Sequence, residues 1–280
     1  MDITNPTAEQ HEIIQALKIA PSFDAQAEIQ RRVTFLREHL IRHQRRSFVL
    51  GISGGVDSLT AGFLAQRAVR EARELGHDAK FIAMRLPYGV QKDEEDAQRS
   101  LAAIQPDTIL TVDIKPAADA MLAAVKAGGL AFENAGQQDF ILGNIKARQR
   151  MIAQYAVAGT THGMVIGTDH AAEALMGFFT KFGDGACDIT PLTGLNKRRV
   201  RALAEAFGAH ELLVHKTPTA DLEDLMPLKP DETSFGITYH EIDDFLEGKR
   251  IGDSAYDVIL KHYRSTAHKR ALPVEPPDSI

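Results

Sequence analysis

Apolar residues recur at two spacings along this chain. Between residues 24 and 43, Ile29, Val33, Leu36 and Leu40 fall at helical spacing, which predicts an amphipathic helix. Short apolar runs interrupt that spacing at 48–52, 80–86, 108–114 and 164–167, and each predicts a strand. Helical patterns fill the intervals: 58–75 ending at Gly76, an acidic stretch over 93–104, 116–127 stopped by Gly128-Gly129, and a long one over 138–158. A further helix is expected over 196–207, closed by Gly208. Strands alternating with helices predict an α/β fold, a doubly wound and mainly parallel sheet with helices on both faces. The whole chain, 1–280, is read as one domain.

Two segments lack periodicity and are expected to be mobile, 87–92 and 215–236. The second carries Pro218, Pro227 and Pro230. A long irregular stretch in a compact domain is either a lid over a site or a surface excursion, and composition does not separate the two. The tail, 272–280, holds Pro273, Pro276 and Pro277 and is expected to fray.

Composition narrows the function classes. A chain of 280 residues has room for a sizeable core, and its net charge of −6 comes without a basic stripe, so nucleic acid is not expected as a partner. The single cysteine, Cys187, excludes an intrachain disulfide framework and a four-cysteine zinc site. The first residues lack a basic start followed by an apolar core, and no apolar stretch approaches membrane-spanning length. A cytoplasmic protein without membrane contact is the expectation.

The most specific chemistry follows the first predicted strand. Residues 51–58 read Gly-Ile-Ser-Gly-Gly-Val-Asp-Ser. A strand running through a glycine-rich turn into a helix gathers backbone N–H groups at a helix N-terminus, an arrangement that suits phosphate. Gly54 and Gly55 allow close approach, and Ser53 and Ser58 add hydroxyl donors. Asp57 would repel a bound phosphate unless a cation lay between them, which points to Mg²⁺. The loop lacks the lysine of the common Gly-x-x-x-x-Gly-Lys-Ser/Thr motif. It resembles instead the Ser-Gly-Gly-x-Asp-Ser loop of ATP pyrophosphatases, which split ATP into AMP and pyrophosphate.

A second cluster, Gly167-Thr168-Asp169-His170-Ala171-Ala172-Glu173, leaves the fourth strand and enters a helix, on the same predicted ligand edge. Glu173 is either a charge that complements the helix dipole or a partner of Asp57 in holding Mg²⁺. In the long helix, Ile141, Ile145, Arg148, Ile152 and Tyr155 share one stripe, with Asn144 beside it. Arg148 either snorkels at a helix contact or meets a polar ligand. The string Gly177-Phe178-Phe179-Thr180-Lys181-Phe182-Gly183-Asp184-Gly185 predicts a shaped loop. Lys197 opens a helix, against the dipole, and so is placed to face an anion.

These strings occur together and in order in the ammonia-dependent NAD synthetases, which the chain resembles over residues 25–271: GISGGVDS, RLPYGVQ, KARQRMIAQY, GTDHAAEALMGFFTKFGDG, LTGLNKR, PTADLEDL, HEIDDFLEGK and AHKR. The resemblance implies an adenine nucleotide α hydrolase-like, Rossmann-like fold. It implies a ligase of NAD biosynthesis that adenylates the nicotinate carboxylate of deamido-NAD and lets ammonia displace AMP. No glutamine-hydrolysing segment precedes the loop, so free ammonia is the expected nitrogen source. The resemblance assigns ATP to Gly51, Ile52, Ser53, Gly54, Gly55, Val56, Asp57, Ser58, Thr168, Lys197 and Thr219, with Arg85 and Gln91 near the adenine. It assigns Mg²⁺ to Asp57 and Glu173. Deamido-NAD falls to Phe140, Asn144, Arg148, Tyr155, Lys181, Asp188, His268 and Lys269. Asp57, Lys197 and Asp184 are the expected catalytic residues, Asp184 as base or as cation site. A homodimer with the dinucleotide at its interface is also implied.

Two departures stand out. Position 56 is Val where relatives often carry Gln, and the ending PVEPPDSI lacks their aromatic-acidic tail. The rival readings are another ATP pyrophosphatase with a different acceptor and a non-catalytic nucleotide sensor.

Overall fold

A computed structural model describes residues 6–90, 93–219, 222–226 and 228–276. In chain order the elements are α1 (Ala8–Ala16), α2 (Ala25–Arg42), β1 (Ser47–Gly51), α3 (Val56–Glu74), β2 (Lys80–Arg85), α4 (Glu94–Ile104), β3 (Thr108–Thr111), α5 (Lys115–Ala127) and α6 (Ala135–Thr160). Then come β4 (Gly163–Val165), α7 (Ala171–Met176), α8 (Lys197–Ala206), α9 (Glu211–Val214), α10 (Asp231–Phe235), α11 (Tyr239–Leu246) and α12 (Asp253–Ser265).

The four strands form one parallel sheet in the order β3-β2-β1-β4. Successive residues of a strand point to opposite faces, so β1 serves two cores. Phe48 and Leu50 pack with Leu36 and Leu40 of α2, Leu64 of α3 and Leu203 of α8 on one face. Val49 packs with Ile82, Met84 and Ala158 of α6 on the other. A third apolar cluster lies at the C-terminal end of the chain, where Ile242, Phe245 and Ile259 from α11 and α12 close over Leu175 of α7 and Ile13 of α1. The expected doubly wound α/β architecture holds. Strand order reverses at β1, which has β2 on one side and β4 on the other, and such a switch point opens a crevice at the strands' C-terminal ends.

Several boundaries differ from expectation for identifiable reasons. Helix α3 starts at Val56, not 58, because Gly55 serves as its N-cap and Ser58 Oγ bonds back to the Gly55 carbonyl at 3.1 Å. Helix α6 starts at Ala135 because the Asn134 side chain accepts from Gln137 N–H. Strand β3 stops at Thr111, since Asp113 Oδ1 accepts from Gly89 N and Lys115 N and turns the chain. The 215–236 stretch is not wholly irregular: it contains α10 and an antiparallel bridge between Thr219 and Pro230. Helices α1, α11 and α12 were not anticipated.

Phe48 is fully buried where β1 meets α2 and α3. Phe48→Ala is expected to lower stability by about 3–5 kcal/mol, read from the urea midpoint.

Candidate active site

The loop after β1 and the turn after β4 meet at a cavity of about 420 Å³. Every residue of 51–58 except Gly54 lines it. Gly54 has a different task. Its φ is +88°, and a Cβ there would stand 2.9 Å from the backbone nitrogen of Ala97, so only glycine lets the loop lie against α4. The serines fix the loop internally: Gly55 N–H donates to Ser53 Oγ at 3.3 Å, and Ser53 N–H donates to Ser58 Oγ at 3.3 Å. Gly55 gives α3 no side-chain cap. The first-turn N–H groups of a 19-residue helix are thus left for a ligand in the cavity.

Opposite the loop stands the N-terminus of α8. Asn196 caps it, and both oxygens of Asp243 accept backbone N–H groups, from Lys197 at 3.0 Å and Arg198 at 2.7 Å. Burial pushes the Asp243 carboxyl up to about 6, although those two N–H groups favour its ionised form. Held this way, Lys197 is 1% exposed and sends its Nζ to Asp57 Oδ2 at 2.7 Å, with the Tyr239 ring centroid 4.8 Å away. Burial pushes the Asp57 carboxyl up, but the Lys197 ammonium, with His170 beside it, outweighs burial and holds it well below the usual range. Burial lowers Lys197, and Asp57 and Glu173 more than offset that.

His170, 1% exposed, lies behind this pair. Its Nδ1 accepts from Glu173 N–H at 3.4 Å and caps α7, which puts the ring proton on Nε2, 3.4 Å from Asp57 Oδ1 and 3.3 Å from Lys197 Nζ. Burial and the Lys197 charge keep the imidazole below its ordinary value, hence neutral. Glu173 and Asp184 line the acidic side of the cavity, and Asp169, outside the lining, is near enough to feel the Asp184 and Asp57 charges. Burial and then the Asp57 charge raise Glu173 well above its ordinary value. Burial, then the Asp184 and Asp57 charges, push Asp169 to about 7. Asp184 is raised by burial, against the Thr180 N–H that its Oδ1 accepts at 2.8 Å.

One ligand atom each from Asp57, His170 and Glu173 lies within 4.8 Å of the others. Asp57 Oδ1 is buried without a hydrogen-bond partner among the described residues. An unsatisfied carboxylate oxygen beside a second, crowded carboxyl fits a hard divalent cation. The oxygens match Mg²⁺. The His170 nitrogen does not, and its Nδ1 is already engaged in capping α7.

The other expected residues divide into two sets. Thr168, Thr219, Phe140, Asn144 and Lys269 line the cavity with the loop, Asp184 and Lys197. Arg85 lines it too, but its guanidinium is directed to the Ile52 carbonyl and, at 2.7 Å, to Glu94. Lys269 Nζ holds the carbonyls of Gly177 and Phe179 at 2.8 Å each, so it shapes the 177–185 loop. Arg148, Tyr155, Lys181, Asp188 and His268 are outside the lining. Tyr155 OH donates to Asp188 Oδ1 at 3.3 Å, and Asp188 Oδ2 accepts Val165 N–H at 2.7 Å. Gln91 lies outside the described residues. Sequence reading passed over His170, Asp243 and Gln154, whose Oε1 accepts Gly51 N–H at 2.8 Å. All three stand inside quoted motifs, and an Asp between Ile242 and Phe245 on an amphipathic helix was a usable signal.

Known proteins resemble this chain over nearly its whole length. The NAD synthase family model matches residues 28–273. The NH(3)-dependent NAD(+) synthetase of Burkholderia cenocepacia is 64% identical over 266 residues, covering 95% of this chain and 94% of that protein. The crystal structure of NAD+ synthetase from Burkholderia pseudomallei superposes with a TM-score of 0.83 at 60% identity, covering 95% of this chain and 97% of that one. NMN synthetase from Francisella tularensis gives 0.79 at 34% identity, over 91% and 99%.

Removing the Lys197 ammonium leaves buried carboxylates without their cation. Lys197→Met is expected to cost about 3–5 kcal/mol in urea unfolding, with Asp57→Asn in the same chain recovering a large part. Strictly additive losses would show that the two side chains do not act as a pair.

Proposed function

The chain belongs to the NAD synthase family, and from that premise we propose how its residues divide the work of making NAD. The reaction is the ATP-dependent amidation of deamido-NAD by ammonia, with AMP and pyrophosphate as the other products, and the enzyme is a ligase. The observation that carries the residue assignment is the meeting of two helix N-termini, α3 and α8, at one cavity, with Asp57 and Lys197 in contact between them.

The loop 51–58 and the open first turn of α3 receive the ATP phosphates. Thr168 and Thr219 flank the nucleotide from the β4 turn and the 215–236 segment. Asp57 and Glu173 would hold Mg²⁺, which would offset phosphate charge. The nicotinate carboxylate oxygen attacks the α-phosphorus, the bond to the β-phosphate oxygen breaks, and pyrophosphate leaves. Two anions approach in that step, and Lys197 stabilises the charge moving onto the leaving group. Ammonia then attacks the acyl carbon and AMP departs. Asp184 faces the cavity where ammonium must give up a proton, and with Glu173 it makes the acidic wall suited to that transfer. The enzyme needs no covalent intermediate of its own; positioning supplies much of the rate.

Deamido-NAD is bound in part by residues outside this cavity, and a second copy of the chain completes its site. The support is on α6, where Phe140, Ile141 and Ile152 are exposed beside Arg148 and Tyr155. An apolar stripe of this kind on a solvent-facing helix suits an interface. We place the enzyme in the cytoplasm; no described helix is long and apolar enough to cross a membrane.

The test is an assay with ATP, Mg²⁺, ammonium and deamido-NAD. NAD, AMP and pyrophosphate are expected in equal amounts, and Asp57→Asn should lower kcat about 100-fold or more. AMP formation only with another carboxylate would reassign the acceptor. Ile152→Glu is expected to yield a monomer in sedimentation and to raise KM for deamido-NAD about tenfold, with ATP binding retained.

A further inference from the structure

Helix α6 buries two charged side chains that the chemistry above does not use. Asp139 is 7% exposed and Lys146 2%. Seven residues apart, they share one helix face. Both point to the same short stretch of the 215–236 segment. Asp139 accepts two backbone N–H groups, with Oδ1 taking Asp224 N at 2.8 Å and Oδ2 taking Leu225 N at 2.9 Å. Lys146 Nζ donates to the Leu222 carbonyl at 3.0 Å and to Asp224 Oδ1 at 2.6 Å. Between them the backbones nearly touch: a Cβ on Gly143 would stand 3.2 Å from the Leu222 carbonyl oxygen.

Lys146 also reaches the other irregular segment. Its Nζ lies 4.0 Å from the centroid of the Tyr88 ring, a cation–π distance. Tyr88 is fixed in turn by Asp119, whose Oδ1 accepts the phenol at 2.5 Å. At the near end of the long segment, Lys216 pairs with Asp96 at 2.8 Å. Asp224, Leu225 and Tyr88 are outside the cavity lining, but Lys216 and Leu222 belong to it, as do their neighbours Thr217, Pro218, Thr219, Glu223 and Met226.

A buried ammonium and a buried carboxylate that lose their partners pay full desolvation. Here the partners of both are supplied largely by segment 222–225. Undocking that segment would strand two charges on α6, so α6 favours the docked arrangement even with no ligand bound. We propose that Asp139 and Lys146 are positioning residues. They form a latch that holds residues 222–226, and with them 216–219, over the nucleotide cavity and ties them, through Lys146, to the Tyr88 turn. The latch rests on the reading above that this cavity takes ATP. It acts through the roof rather than on the reacting atoms.

The test uses the full chain. Lys146→Met keeps the aliphatic stem and removes the ammonium. Asp224→Ala removes the acceptor from the exposed side of the contact and leaves α6 packing intact. Limited proteolysis without ligands, with cut sites mapped by mass spectrometry, is expected to show both variants cleaved within 215–226 about tenfold faster than the parent. KM for ATP should rise about tenfold with kcat within about twofold, and Lys146→Arg should restore much of it. Cleavage within twofold of the parent in both variants would overturn the latch. So would faster cleavage spread over the whole chain together with a lowered Tm, which marks a purely structural role. Fast cleavage at 215–226 with unchanged KM for ATP would overturn the positioning role. Absence of ATP turnover in the parent chain would instead sink the reaction on which the latch rests.

Discussion

The contact between Lys197 and Asp57 is the constraint around which the rest of the molecule is arranged. It joins the first turn of α3 to the first turn of α8, helices that also pack together through the core under β1. A lysine at a helix N-terminus opposes the dipole, and burying it adds desolvation. The fold meets both costs with fixed acceptors: Asp57 on the ammonium, and Asp243 across the two N–H groups behind it. A hydrophobic pair at these positions would pack more cheaply. It would also remove the ammonium that joins the two helix starts beside the 51–58 loop. In the proposed reading the arrangement serves the anion received there rather than stability.

Much of the site was legible in the sequence because its parts are local. The loop 51–58 is a continuous string whose strand, turn and helix start are all set by near neighbours, and the glycine at 54 is demanded by one backbone approach. The strand and helix order up to α8 followed from periodicity, to within a few residues. What was not legible depends on contacts across the chain. His170 and Lys197 are 27 residues apart, and Asp243 is a further 46 from Lys197. No local pattern marks a neutral histidine as the group behind a carboxylate. The short helix α10 falls where proline and polar residues dilute any periodic signal.

The apolar stripe of α6 is not the face that packs within this chain. The spacing of Ile141, Ile145, Arg148, Ile152 and Tyr155 left Arg148 either snorkelling at a helix contact or meeting a polar ligand. In the fold Ile141, Arg148 and Ile152 are exposed, and the covered face carries Asp139, Leu142, Lys146 and Ala147. Hydrophobicity alone does not mark the covered side, because this helix does not bury its inner face only against a core. Its N-terminal half lies under the 222–225 stretch, whose backbone groups take their hydrogen-bond partners from Asp139 and Lys146.

That inversion gives α6 an unusual position. From one side it holds three separate walls of the cavity. Asp139 and Lys146 hold the roof, Arg150 Nε donates to the Leu86 carbonyl at the end of β2, and Gln154 accepts the N–H of Gly51 at the start of the 51–58 loop. Its opposite side presents the apolar stripe. A rigid helix cannot move on one side alone, so a partner seated on the stripe would fix the roof, the β2 turn and the loop together. In the reading where that partner is a second copy, the dimer would do more than lend residues to the dinucleotide. It would set the register of the ATP cavity itself, and dimerisation and nucleotide affinity would be linked through the same helix.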